Sequence, residues 1–160
     1  METWMKVKSP IILTMLLSST FPVLAVPNMW SSGFGQGNAE YTITSTDNVA
    51  FTINCTGNPD KDGILEHGVA VTLANGTTVY PGDQDPNIVV VMNDQQYWIP
   101  PSLGWRNADN AWVSFIGDIA KAQSFDVYIN DKKVSTYLVN LKNAQKVLPQ
   151  EGECTEIYYR

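Results

Sequence analysis

One histidine, two cysteines and ten basic residues in a chain of 160 leave few routes to catalysis. Each scarcity excludes something definite. With His67 as the sole histidine, every Ser–His nucleophile or imidazole acid–base scheme must pass through that residue. It stands at the end of a polar loop, where a solvent-facing side chain is expected. No serine sits in a Gly-x-Ser-x-Gly elbow, and no His-Glu-x-x-His zinc motif occurs. Cys55 and Cys154 are too far apart in sequence for a Cys-x-x-Cys redox pair. The 16 acidic residues outnumber the basic ones, and Lys132-Lys133 is the only basic doublet. Phosphate backbones need clustered Lys and Arg, so nucleic acid is not an expected partner. No long apolar run follows the first residues, so no transmembrane segment is expected in the mature chain.

What the chain has begins with an address. Met5-Lys-Val-Lys8 is basic, Pro10 to Leu17 is apolar, and Ser18 to Pro22 is polar and helix-breaking. Val23-Leu-Ala25 then places small residues at the −3 and −1 positions of a cleavage site. The apolar part is too short to cross a hydrocarbon core of about 30 Å. Residues 1–25 therefore read as a signal peptide, of bacterial brevity, and residues 26–160 as a single β-rich domain exported to the periplasm or beyond the cell. Removal of Lys6, Lys8 and Glu2 takes the formal charge from −6 to −7. Both cysteines fall in the exported part, and an even count in an oxidising space predicts a Cys55–Cys154 disulfide that ties the tail to an early strand.

Val26 to Gly37 reads as an irregular entry. Strict alternation predicts strands at 40–45 and 49–55, then at 69–73 and 78–80, the latter two joined through Asn75-Gly76 as a type I′ turn. Ile88-Val-Val-Val-Met92 is apolar at every position and reads as a central strand covered on both faces; Gln96-Tyr-Trp-Ile99 returns beside it. Trp112, Phe115, Ile116 and Ile119 lie at helical spacing, predicting a helix over 110–122 with Asp109 or Asn110 as its cap. A hairpin over 125–139 and a short helix from Leu141 to Leu148, capped by Asn140, complete the chain. The expected fold is mainly β (α+β): an antiparallel sandwich or curled sheet of about seven to eight strands, two short helices and one disulfide.

The stretch Asn58-Pro-Asp-Lys-Asp-Gly-Ile-Leu-Glu-His-Gly-Val69 opens like a calcium loop, with oxygen-bearing side chains at positions 1, 3 and 5 and glycine at 6. Position 12 is Val69 where a bidentate Glu belongs, and strands rather than helices flank it. Asn58, Asp60 and Asp62 are thus read as turn residues, with calcium, helped by Glu66 or by Asp83 and Asp85, as the alternative; no cofactor is expected. Glu66 paired with Asp83 or Asp85 could instead serve as glycosidase acids. The aromatic residues point elsewhere. Trp112 belongs to the core, whereas Tyr97, Trp98, Trp105 and Arg106 have the composition of a binding hot spot.

Ala111-Trp-Val-Ser-Phe-Ile116, Ser124-Phe-Asp-Val-Tyr-Ile129 and Val139-Asn-Leu-Lys-Asn-Ala-Gln-Lys-Val-Leu148 follow one another as helix, hairpin and short helix. In order and spacing this last third resembles small exported bacterial proteins of the invasion-associated locus B type. The resemblance implies a β-rich, virulence-associated accessory of the periplasm or cell surface without an established active site, and transfers no site residue. The expected function is non-enzymatic binding of a protein partner, as an inhibitor, an immunity protein or a secretion or surface accessory. The alternatives are a secreted hydrolase or calcium-dependent carbohydrate binder using the acidic loops, and a structural subunit of a cell-envelope assembly.

Overall fold

The computed structural model describes residues 26–160 apart from Gln84, Glu151 and Arg160. The expected signal peptide, residues 1–25, lies outside the described residues. Among the described residues nine strands form two antiparallel sheets. The first contains β1 (Ser31–Gly35), β2 (Asn38–Thr44), β3 (Ala50–Thr56), β4 (Gly68–Thr72) and β5 (Thr78–Val79), in chain order. The second contains β6 (Ile88–Met92), β7 (Gln95–Trp98), β8 (Ser124–Ile129) and β9 (Lys132–Leu138), ordered β7-β6-β8-β9. Helix α1 (Arg106–Ile119) connects β7 to β8, and α2 (Leu141–Val147) follows β9.

Alternation decides which face of each sheet is buried. In the first sheet Ile43 pairs with Phe51 and Phe51 with Val71, and all three are fully buried. Tyr41, Ile53 and Val69 form the next row. The second sheet contributes Ile88, Val90, Met92, Phe125, Val127 and Tyr137. Phe51 lies at the centre, its ring 5.4 Å from Phe125, 6.1 Å from Tyr137 and 6.3 Å from Phe115 of α1. Burying side chains of this size stabilises by about 1.5–3 kcal/mol each, which is what holds sheet to sheet and helix to both. Trp30 completes the cluster. Asn143 of α2 clamps its backbone, accepting from the Trp30 N–H at 2.6 Å and donating to its carbonyl at 3.0 Å.

The mainly β sandwich with two helices and one cystine is as expected, and four local readings are corrected. The entry segment is not wholly irregular: Ser31–Gly35 pairs with β2 through a turn at Gln36 and Gly37, both at positive φ. Strand β6 is central, but its Val89 and Val91 side remains half-exposed, and among the described residues no second layer covers that face. Its all-apolar sequence does not mark double burial. Asn75-Gly76 is not type I′. Gly76 alone adopts positive φ there, and the Asn75 side chain accepts from the Thr77 N–H at 2.9 Å, closing the turn locally. Helix α1 starts at Arg106, four residues before the predicted 110, with Trp105 at the cap. Asp109 does not cap by its side chain; it lies in the first turn, where the positive end of the helix dipole favours a carboxylate.

Candidate functional site

Of the four residues singled out from the sequence, Tyr97 and Trp98 point to opposite faces of β7, whereas Trp105 and Arg106 lie at the start of α1. Tyr97 points inward. Its ring meets Phe115 at 6.5 Å and its hydroxyl donates to Asp118 Oδ2 of α1 at 2.9 Å. Desolvation first, and then the hydrogen bond and charge of Asp118, push its pKa above the usual phenol value. Tyr97 thus anchors α1 to the sheet. Trp98, on the opposite face, meets Trp105 edge-to-face at 6.0 Å, and Trp105 is 47% exposed. Arg106 follows, exposed, at the first position of α1. Among the described residues it has no ion-pair partner.

Trp105 sits on a loop held by two carboxylates. Glu66 Oε2 accepts from the Leu103 N–H at 2.9 Å, and Asp109 Oδ1 accepts from the Gly104 N–H at 2.8 Å. Gly104 has φ 92°, and a Cβ there would overlap Ile64. This glycine is required by both its backbone and its close neighbour. Glu66 and Asp109, charged groups that could have suggested catalysis, are occupied in positioning the indole.

His67 is not on the surface. It is 6% exposed, and its ring stacks on Trp112 at 6.0 Å. Nδ1 accepts from the Thr56 N–H at 3.1 Å, which leaves Nε2 as the donor to the Glu156 carbonyl at 2.8 Å. Those bonds specify one neutral tautomer. Burial lowers its pKa, opposed by the Glu156 carbonyl and by the charge of Glu66. The imidazole joins strand β3 to the C-terminal tail and is occupied at both nitrogens.

The tail runs back along the loop after β3. Leu65 N–H donates to the Ile157 carbonyl at 2.7 Å, Tyr159 N–H to the Gly63 carbonyl at 2.9 Å, and Ile64 bridges Tyr158. Cys55 and Cys154 are bonded, Cα atoms 5.2 Å apart, and the Trp112 indole donates to the Cys154 carbonyl at 2.7 Å. Beside this cystine lies a groove of about 550 Å³ whose lining includes Phe34, Ala39, Tyr41, Leu65, His67 and Glu153.

The acidic loop places its oxygens on backbone. Asp60 Oδ1 accepts from the N–H groups of Asp62 and Ile64, each at 2.8 Å. Asn58 donates to the Gln36 carbonyl at 2.7 Å, and Asp62 pairs with Lys61 at 2.5 Å. Asp60 therefore shapes the loop and Asn58 fastens it to the β1–β2 turn. Asp85 is bound by Asn130 at the β8–β9 turn, whereas Glu66 holds Leu103, so Glu66 and Asp85 serve two different loops. Among the described residues no three His, Cys, Asp or Glu side chains cluster as a metal set would require.

The matched proteins can now be placed on this geometry. The YfjT family model covers residues 28–148. The chain belongs to the YfjT family. The family span includes both sheets and both helices, with Trp98, Trp105 and Arg106, while Cys154 and the tail lie beyond it. The uncharacterized protein YfjT of Escherichia coli (strain K12) is 51% identical over 153 residues, covering 94% of this chain and 99% of its own. The uncharacterized protein YkfB of the same strain is 50% identical over 147 residues, covering 92% and 95%. No solved structure matches. These matches do not address the resemblance to the invasion-associated locus B type.

Sequence patterns missed three exposed rings: Phe34, Tyr158 and Tyr159. Phe34 was hidden in Ser31-Ser-Gly-Phe-Gly35, whose glycines argued against a strand. The one available signal was Gln36-Gly37, a glycine-containing turn dipeptide placed just before an alternating run.

Proposed function

We propose that this YfjT-family chain is an exported, non-enzymatic module that binds a protein partner in the periplasm or outside the cell. Inhibition of an enzyme, immunity to a toxin, and a secretion or surface role all fit such a module. The carrying observation is the Trp98–Trp105 pair, half-exposed, edge-to-face and followed directly by Arg106. An indole packed edge-to-face on a second ring, on a loop held by two carboxylates, loses little conformational freedom on binding, which is the property of an interface anchor. Two further observations support the reading. The only histidine is committed to backbone bonds at both ring nitrogens, and Glu66, Asp60 and Asp85 are committed to loops. The cystine between β3 and the tail suits an oxidising compartment.

Affinity capture from periplasmic extract, repeated with Trp105→Ala and Arg106→Ala, tests the surface. A specific partner retained by the unaltered protein should be lost, or weakened at least tenfold, in Trp105→Ala. Unaltered capture by both variants would remove this patch from the interface.

A further inference from the structure

Strand β1 is an edge strand of unusual composition. Among the described residues nothing pairs with its outer side, and all five of its residues are exposed. Exposed edges are ordinarily protected by Lys, Pro, a bulge or a covering loop. Ser31-Ser-Gly-Phe-Gly35 has no charge and no proline, and its register with β2 runs unbroken from Ser31↔Thr42 to Gly35↔Asn38. It is open for pairing.

Phe34 gives this edge a side. It pairs with Ala39, and Ala39 pairs with Cys55. Directly opposed residues of antiparallel strands project to the same face, so Phe34, Ala39 and Cys55 continue the face that buries Ile53 further along β3. Phe34 is 81% exposed although it lies on the core-facing side, and it lines the groove of about 550 Å³ beside the cystine. The groove carries the carboxylate of Glu153, and its described lining includes no Lys or Arg. Burial first, and then the charge of Glu153, raise the pKa of the Tyr41 phenol, which also lines the groove. Glu40 stands on the other face of the same hairpin.

We propose that β1 and the groove beside the Cys55–Cys154 cystine receive an extended segment of a protein partner by strand addition, with apolar side chains under Phe34 and Lys or Arg at the flanks. This rests on the reading of the domain as a protein-binding module, but uses none of the residues of the Trp98–Trp105 surface. Main-chain pairing along β1 supplies affinity without side-chain identity, and the groove selects every second side chain. Charge chooses the occupant. A second copy of the exported chain would bring its own acidic groove and, with −6 for the full chain less Lys6, Lys8 and Glu2, a net −7 against this one, whereas a basic segment is attracted.

The test is a titration of the purified, oxidised protein with a fluorescent peptide, Lys-Thr-Val-Lys-Val-Thr-Lys, read by anisotropy. Its Glu-for-Lys counterpart and two versions N-methylated on alternate residues, in opposite phases, serve as comparisons. The expected result is saturable binding of the basic peptide, at least tenfold weaker for the acidic one and for the Phe34→Ala variant. One methylation phase should abolish binding and the other leave it within about threefold, because a strand pairs through one edge only. Equal affinity for both charge types, indifference to Phe34→Ala, or equal effects of the two methylation phases would overturn the proposal. So would a dimer, found by sedimentation, that Phe34→Ala dissociates, since the edge would then belong to a second copy. Loss of peptide binding with partner capture still sensitive to Trp105→Ala would refute strand addition while leaving the proposed function standing.

Discussion

At the scale of single residues, His67 shows how burial converts a reactive group into a structural one. The ring is neutral in the folded chain, and its pKa is depressed below the ordinary 6.5 chiefly by desolvation. The unfolded chain therefore binds the proton first as pH falls. Stability is at its full value above about pH 6.5 and declines below it, by at most about 1.4 kcal/mol per pH unit, until the folded-state pKa is reached. Asp126, depressed from an ordinary 3.8 by Thr136 and Lys133 against desolvation, loses its contribution only at more acid pH. Urea denaturation between pH 8 and 5 should show the decline, and His67→Asn should flatten it while lowering stability at pH 8. The sequence placed His67 on the surface, because its burial depends on partners that no local pattern shows: Thr56 is 11 residues away and Glu156 is 89.

At the scale of elements, the turns carry much of the register. Asn93-Asp94 and Asn130-Asp131 adopt positive φ at both residues, as two-residue hairpins demand. Asn130 does more than turn. Its side chain accepts from the Asn87 N–H at 2.7 Å and donates to Asp85, which ties the β5–β6 loop to the second sheet. Asn130→Gly should lose those bonds alone, about 1 kcal/mol. Asn130→Ala should add the left-handed backbone penalty, for a total of about 2–3 kcal/mol. Comparison of the two by chemical denaturation isolates the backbone contribution. Helix α1 shows the other side of element-level reading. Its apolar spacing located the buried stripe of Trp112, Phe115, Ile116 and Ile119 correctly. Its start was misplaced because Trp105 caps it without a side-chain bond, and Asp109 looked like a cap while serving Gly104 and Tyr158.

At the scale of the molecule, the cystine and the rail beside it hold the tail. Cys55 and Cys154 are 99 residues apart, and closing a loop of that length contributes up to about 4–5 kcal/mol through the unfolded state. Cys55→Ser/Cys154→Ser should lower the urea midpoint by an amount corresponding to about 2–5 kcal/mol. Amide exchange should accelerate first at Leu65, whose N–H is bonded to Ile157. Rapid exchange at Leu65 in the unaltered protein would mean that the tail is not held in this way. The sequence by itself determined the strands with clear alternation, the helical stripe of α1, the Asn140 cap and the pairing of two cysteines, because each depends on local periodicity or on counting. Only the tertiary structure decided that His67 is buried, that Tyr97 faces α1 while Trp98 meets Trp105, and that Phe34 lines an acidic groove. Those outcomes depend on which face the second sheet covers, and that is set by packing between segments up to about a hundred residues apart in the chain, which no local pattern encodes.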